Sequence, residues 1–209
     1  MIGLYVHVPF CAGKCFYCNF MTTAFRSPER QAQYLEALSR ECAFYRERLK
    51  SKRFDTLYVG GGTPSCLGPE STERLFAIVR KHFRFGRNAE VTFEVNPEDV
   101  DGTAALAWKR LGISRISLGA QCFDDGILRR LGRSHGAVKI AEAFGSLRAA
   151  GFGNINLDLM LALPGQSVRS FERSLAEAAA LDPEHVSLYE LVVEPKTALG
   201  RLREHSRLR

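Results

Sequence analysis

Short runs of apolar and β-branched residues recur along the chain, separated by stretches in which apolar positions fall three or four residues apart. The first pattern predicts strands at 4–8, 56–59, 90–95, 115–118, 154–160 and 185–191. The second predicts helices between them. Between the first two strands, Ser27 stands as an N-cap with Pro28 at the first helical position. Leu35, Leu38, Cys42, Tyr45 and Leu49 then form the expected buried stripe. Similar helical stretches cover about 70–82, 103–111, 136–150 and 169–181. This alternation predicts an α/β fold, a parallel sheet or barrel with right-handed crossovers. VSLYELVV and INLDLMLAL read as strands buried on both faces, since they are apolar without strict alternation. In barrels of this kind, functional groups gather on the loops at the C-terminal ends of strands.

Composition narrows the classes. With 209 residues, 45% hydrophobic and 25% charged, the chain can bury one sizeable core. No stretch reaches the roughly 18 to 20 apolar residues of a membrane span, and the start MIGLYVHVPF lacks a basic segment and a cleavage site, so a cytoplasmic location is expected. The net charge of +6 does not imply a nucleic-acid partner. Half of the excess lies in the terminal RLREHSRLR, and no basic cluster is interleaved with stacking aromatics. Three of the six cysteines fall within eight residues near the N-terminus, and Cys42, Cys66 and Cys122 are scattered. That distribution favours a metal site over a disulfide framework.

The first predicted strand runs into PFCAGKCFYC, a C-x3-C-x2-C loop of Cys11, Cys15 and Cys18. Thiolates suit zinc or iron–sulfur clusters. Three without a fourth Cys or His leave a tetrahedral zinc incomplete, whereas a cubane on three thiolates keeps one iron open. After the second strand, Gly60-Gly61-Gly62-Thr63-Pro64 lets backbone approach a ligand closely, or simply makes a tight turn. Glu94 ends the third strand before a Pro-stopped turn, Gln121 ends the fourth, and Arg133 follows some three helical turns later; composition alone favours a solvated Arg. Asp158 sits among aliphatic residues, where it needs a partner or a ligand.

In this order these segments resemble the radical S-adenosylmethionine (SAM) superfamily, and within it the coproporphyrinogen oxidase-like branch, which includes an anaerobic oxidase and a haem chaperone. The resemblance extends from YVHVPFC to YELVVEPKT. It implies a three-quarter TIM-type (β/α)6 barrel, with a [4Fe-4S] cluster on Cys11, Cys15 and Cys18. Tyr5, Gly61, Gly62, Thr63, Glu94, Gln121, Arg133 and Asp158 are then expected around SAM, with Tyr17 a further member of the pocket. In this superfamily the open iron chelates SAM, and an electron from the reduced cluster cleaves it to a 5′-deoxyadenosyl radical. The oxidases typically have a fourth Cys two residues after the third; Phe20 stands there. That departure, with LPGQS and SLYELVVEP, resembles the haem-chaperone side. It implies haem as cargo, an acceptor protein of respiratory type and a reductant for the cluster, ahead of oxidative decarboxylation of coproporphyrinogen III. The resemblance also implies that 1–195 form the cofactor-binding core and that 196–209 are the basic start of a missing or shortened C-terminal region. His7, His82, His135, His185 and His205 are haem-ligand types, and no motif singles one out.

Overall fold

Each predicted apolar run forms a parallel strand. The computed structural model describes residues 1–23, 27–49 and 52–204. The strands are β1 (Gly3–Val8), β2 (Arg53–Gly61), β3 (Arg84–Val95), β4 (Arg115–Gln121), β5 (Ile155–Leu161) and β6 (His185–Glu190). They lie side by side in chain order, every neighbouring pair parallel. Helices α1 (Pro28–Arg48), α2 (Pro69–His82) and α3 (Gly102–Arg110) follow β1, β2 and β3. A short α4 (Asp125–Arg130) precedes α5 (Ala137–Ala149) after β4, α6 (Val168–Ala180) follows β5, and α7 (Ala198–Glu204) follows β6. The expected α/β architecture is therefore present as six parallel strands in one open sheet, with β1 and β6 at its edges.

The two faces of this sheet differ in kind. Residues two apart share a face, and Val6, Val8, Leu57, Val59, Phe93, Val95, Ile116, Leu118, Ile155 and Leu157 are buried together with helix residues such as Leu35, Phe76, Trp108, Ile140 and Phe144 in a continuous apolar core. The alternate residues, among them Tyr58, Thr92, Glu94, Ser117, Asn156, Asp158 and Ser187, are polar and face the other way. The hydrophobic effect thus seals the sheet against its helices and leaves a hydrogen-bonding inner wall.

Local signals explain the ends of elements. Ser27 caps α1, its Oγ accepting from the Arg30 backbone N–H at 3.3 Å. Ser167 and Ser170 form a reciprocal capping box on α6. Two expectations need correction. Tyr45 is largely exposed, so the buried stripe of α1 is Gln31, Leu35, Leu38 and Cys42 with Leu49 only partly covered. Strand β6 is not buried on both faces: as an edge strand it leaves Val186, Leu188 and Tyr189 exposed.

Candidate cofactor-binding site

The cysteine loop leaves β1 and is tied down at several points. The Cys11 backbone N–H donates to Thr23 O at 3.1 Å and the Thr23 N–H to Pro9 O at 2.7 Å. Farther along, the Phe16 N–H reaches Leu131 O at 3.0 Å, and the Leu199 N–H reaches Phe16 O at 2.8 Å. The last contact docks α7 on this loop. The glycine turn after β2 packs against the loop's start: the Gly62 N–H donates to Val8 O at 2.8 Å and the Thr63 N–H to Phe10 O at 2.7 Å. A Cβ on Gly62 would strike the Phe10 and Val8 carbonyl oxygens, the latter at 2.9 Å. Here the glycine is required by close backbone approach.

Cys11, Cys15, Cys18, Tyr17, Gly61, Gly62, Thr63, Glu94, Gln121, Arg133 and Asp158 all line one cavity of about 520 Å³ at the C-terminal ends of the strands. Tyr5 does not. Its side chain is 54% exposed, shares a hydrogen bond of 3.1 Å with His7 Nδ1 and packs against the Tyr58 ring at 5.9 Å. Gln121 adopts φ +67°, rare for a residue with a Cβ, beside a shift in the β4–β5 register between Leu118 and Gln121. The irregularity turns the end of β4 toward the cavity. Arg133 is half-buried as a residue, but its Nε is sealed from solvent and unpaired. Its Nη2 donates to Asn96 Oδ1 and to Gly119 O, both at 2.8 Å. The solvated arginine favoured by composition is thus an arginine of the cavity wall.

Each sulfur has a hydrogen-bond donor. Thr63 Oγ1 donates to Cys11 Sγ at 3.5 Å, Arg133 Nη1 to Cys15 Sγ at 3.6 Å, and the Phe20 backbone N–H to Cys18. Burial pushes the Cys11 and Cys18 thiols up, and the neighbouring sulfurs push them further in the same direction. Donors aimed at sulfur favour thiolates, the form that binds metal. Among the described residues no group of three or more His, Cys, Asp and Glu is close enough to hold a single metal ion. A cubane asks for something else, one thiolate on each of three irons. The donor set fits such a cluster.

Two carboxylates face the cavity under opposing influences. Burial raises the Glu94 carboxyl, while the Tyr58 hydroxyl, donating to Oε1 at 2.7 Å, and the Gly61 N–H, donating to Oε2 at 3.0 Å, hold it down in part. Burial likewise raises Asp158, which accepts from Ser117 Oγ and from Asn156 Nδ2, each at 2.8 Å. Sequence reasoning missed Tyr58, Asn96 and Glu98 in the same wall. Burial opposes the ionisation of Glu98, yet hydrogen bonds from His135 Nδ1 at 2.8 Å and Ser134 Oγ at 2.7 Å, with the Arg133 charge, bring its carboxyl down to about 2. Its only signal in the sequence was its place in the NPED turn. Of the histidines, His135 hydrogen-bonds Glu98 of the cavity wall, His185 bonds Asn156 on the polar face of the sheet, His7 pairs with the Tyr5 hydroxyl and Met21 O outside the cavity lining, His82 lies elsewhere, and His205 lies outside the described residues.

An open six-stranded parallel α/β sheet with a three-cysteine loop at the end of its first strand defines the class. The Radical SAM superfamily model matches residues 5–178, and the chain belongs to that superfamily. Membership implies a [4Fe-4S] cluster and SAM. More particularly, the chain is similar to the proteins named Heme chaperone HemW of Bacillus subtilis, at 35% identity over 209 residues, covering 100% of this chain and 55% of that one. It is also similar to that of Mycobacterium tuberculosis, at 40% over 204 residues, covering 95% and 52%. Among solved structures it resembles coproporphyrinogen III oxidase (HemN) from Escherichia coli, described as a radical SAM enzyme, with a TM-score of 0.90 and 29% identity over 100% of this chain and 47% of that one. The chain spans about half the length of the curated relatives it matches. Among the described residues no helix is long and apolar enough to cross a membrane.

Proposed function

We propose that this chain is the cofactor-binding part of a radical SAM-type haem chaperone, which binds haem and passes it to an acceptor protein of respiratory type. Cys11, Cys15 and Cys18 hold the cluster; Gly61, Gly62, Thr63, Glu94, Gln121, Arg133 and Asp158 surround SAM, with Tyr17 beside them and Tyr5 supporting the wall through Tyr58. The bound cluster supplies an open iron for the amino and carboxylate groups of SAM and, when reduced, an electron. The chain's own groups bind and orient: carboxylates at Glu94 and Asp158 take ammonium or hydroxyl donors, and the Arg133 guanidinium takes an anion.

One observation carries the cofactor reading. Three sulfurs, each with a donor, share a single cavity with two half-buried carboxylates and an arginine. The haem reading rests on the relatives named Heme chaperone HemW and on Phe20, which stands where the oxidases typically have a fourth cysteine and itself lines the cavity. The similarity to the oxidase supports a second reading, decarboxylation of coproporphyrinogen III through a 5′-deoxyadenosyl radical, which Phe20 disfavours. Anaerobic reconstitution, reduction and SAM addition followed by EPR, with haem titrated into the same sample, tests both. The expected result is a cluster signal altered by SAM and a haem absorbance band that saturates. One equivalent of zinc with no SAM effect would remove the cofactor reading; protoporphyrinogen IX formed from coproporphyrinogen III would reverse the order of the two functions.

A further inference from the structure

The hydrogen bonds on Cys11 and Cys15 are not independent. Asn96, at the turn after β3, touches both donors. Its Oδ1 accepts from Arg133 Nη2 at 2.8 Å, and its Nδ2 donates to Thr63 Oγ1 at 3.3 Å. Arginine can only donate, so the amide orientation is fixed by that contact. The threonine hydroxyl, accepting from Asn96, has its own hydrogen free for Cys11 Sγ, while the same guanidinium places Nη1 on Cys15 Sγ. An unbroken path therefore runs from Cys11 through Thr63, Asn96 and Arg133 to Cys15. The asparagine is itself anchored: its backbone N–H donates to Ser65 Oγ at 3.1 Å, and Ser65 Oγ donates to Asp99 Oδ2 at 2.7 Å. Cys18, whose donor is the backbone of Phe20, stands outside this path.

We infer that Asn96 is a positioning residue that couples the hydrogen bonds on two of the three cluster thiolates and thereby raises the cluster's reduction potential. Hydrogen bonds to sulfur stabilise the more negative, reduced cluster, and outer residues that orient such donors tune the metal site. Asn96 touches neither sulfur. It acts by holding Thr63 and Arg133, so its loss leaves the ligands in place and changes their electronics. The inference rests on the cluster reading above.

The test is an EPR-monitored redox titration of the anaerobically reconstituted protein without SAM, comparing wild type with Asn96→Leu. Full iron loading is expected in both. In the variant the reduced-to-oxidised ratio at the wild-type midpoint should fall about tenfold, a negative shift of about 59 mV for one electron. In a Thr63→Val background the same Asn96 substitution should shift the midpoint less, because one of its two arms is already gone. Asn96→Ser, smaller and still polar, provides the same reading should the leucine variant not fold. An unchanged midpoint in either loaded variant overturns the inference, as does an equal shift in the Thr63→Val background. A wild-type protein that loads no cluster overturns the proposed function instead.

Discussion

Gly60, near the end of β2, and Gly62, just after it, differ in what a methyl group would strike. On Gly62 it meets backbone carbonyl oxygens of the cysteine loop, which cannot withdraw. Gly62→Ala should therefore destabilise the fold by roughly 2–4 kcal/mol in urea and lower the iron bound per chain. On Gly60 it meets the Glu94 carboxylate, with Oε1 at 2.6 Å. A side chain can rotate away, losing its Tyr58 and Gly61 hydrogen bonds. Gly60→Ala should cost only about 1–2 kcal/mol, keep full cluster loading and weaken SAM binding at least tenfold by titration. Glu98 gives a pH prediction. Its folded value of about 2 lies below the unfolded carboxylate value, so its contribution is present above about pH 4.5 and is lost as pH falls toward 2. The size is at most about 3 kcal/mol. Glu94 and Asp158, both raised by burial, run the other way, favouring the fold at low pH and losing that contribution as pH rises through their folded values. Glu98→Gln should lower stability at pH 7 and flatten the decline between about pH 4.5 and 2, measured by denaturation of cluster-free chain. At this scale the cysteines, the glycine turn, Glu94, Arg133 and Asp158 could be read from motif order. Asn96 and Glu98 could not, because each gains its role from partners that only the fold brings near.

At the scale of elements, what was legible was the apolar face. The runs at 56–59 and 90–95 located β2 and β3, although both begin earlier, because each opens with a single aromatic, Phe54 or Phe85, among charged and small residues, too little to show a strand's apolar pattern. The six residues of α4 are too few to show a helical period. The polar inner face was visible only as Glu94 and Asp158. In the structure it is a network across β4, β5 and β6. Asn156, almost wholly buried, donates to Ser117 Oγ and Asp158 Oδ1, each at 2.8 Å, and accepts from Ser187 Oγ at 3.0 Å. Asn156→Leu would leave those partners without their amide in an enclosed wall. A loss of about 2–4 kcal/mol is expected in urea, with the cysteine loop still loading its cluster, since none of these strands carries a ligand thiol. An equal loss of iron would show that the strands and the loop fold as one unit.

On the scale of the whole molecule, an open sheet leaves a side between its first and last strands that no seventh strand closes among the described residues. The cavity reaches that side, and its wall there is apolar: Phe20, which follows the cysteine loop of β1, and Leu191 and Val192, which follow β6, line it together. Phe20 and Val192 are each 67% exposed. Large apolar side chains left in water at the mouth of the cavity suit a flat apolar ligand, which on the haem reading proposed above is the macrocycle. Phe20 is a poor place to test this, because its backbone N–H serves Cys18. Val192 is free of that contact. Val192→Asp should leave thermal stability and the SAM-dependent EPR change intact, because an exposed residue after the last strand holds neither core nor cluster. It should raise the haem dissociation constant at least tenfold, about 1.4 kcal/mol, when haem is titrated by absorbance. A conservative Val192→Leu should restore it. Unchanged haem affinity in Val192→Asp would move the cargo off this wall while leaving the cofactor site as described.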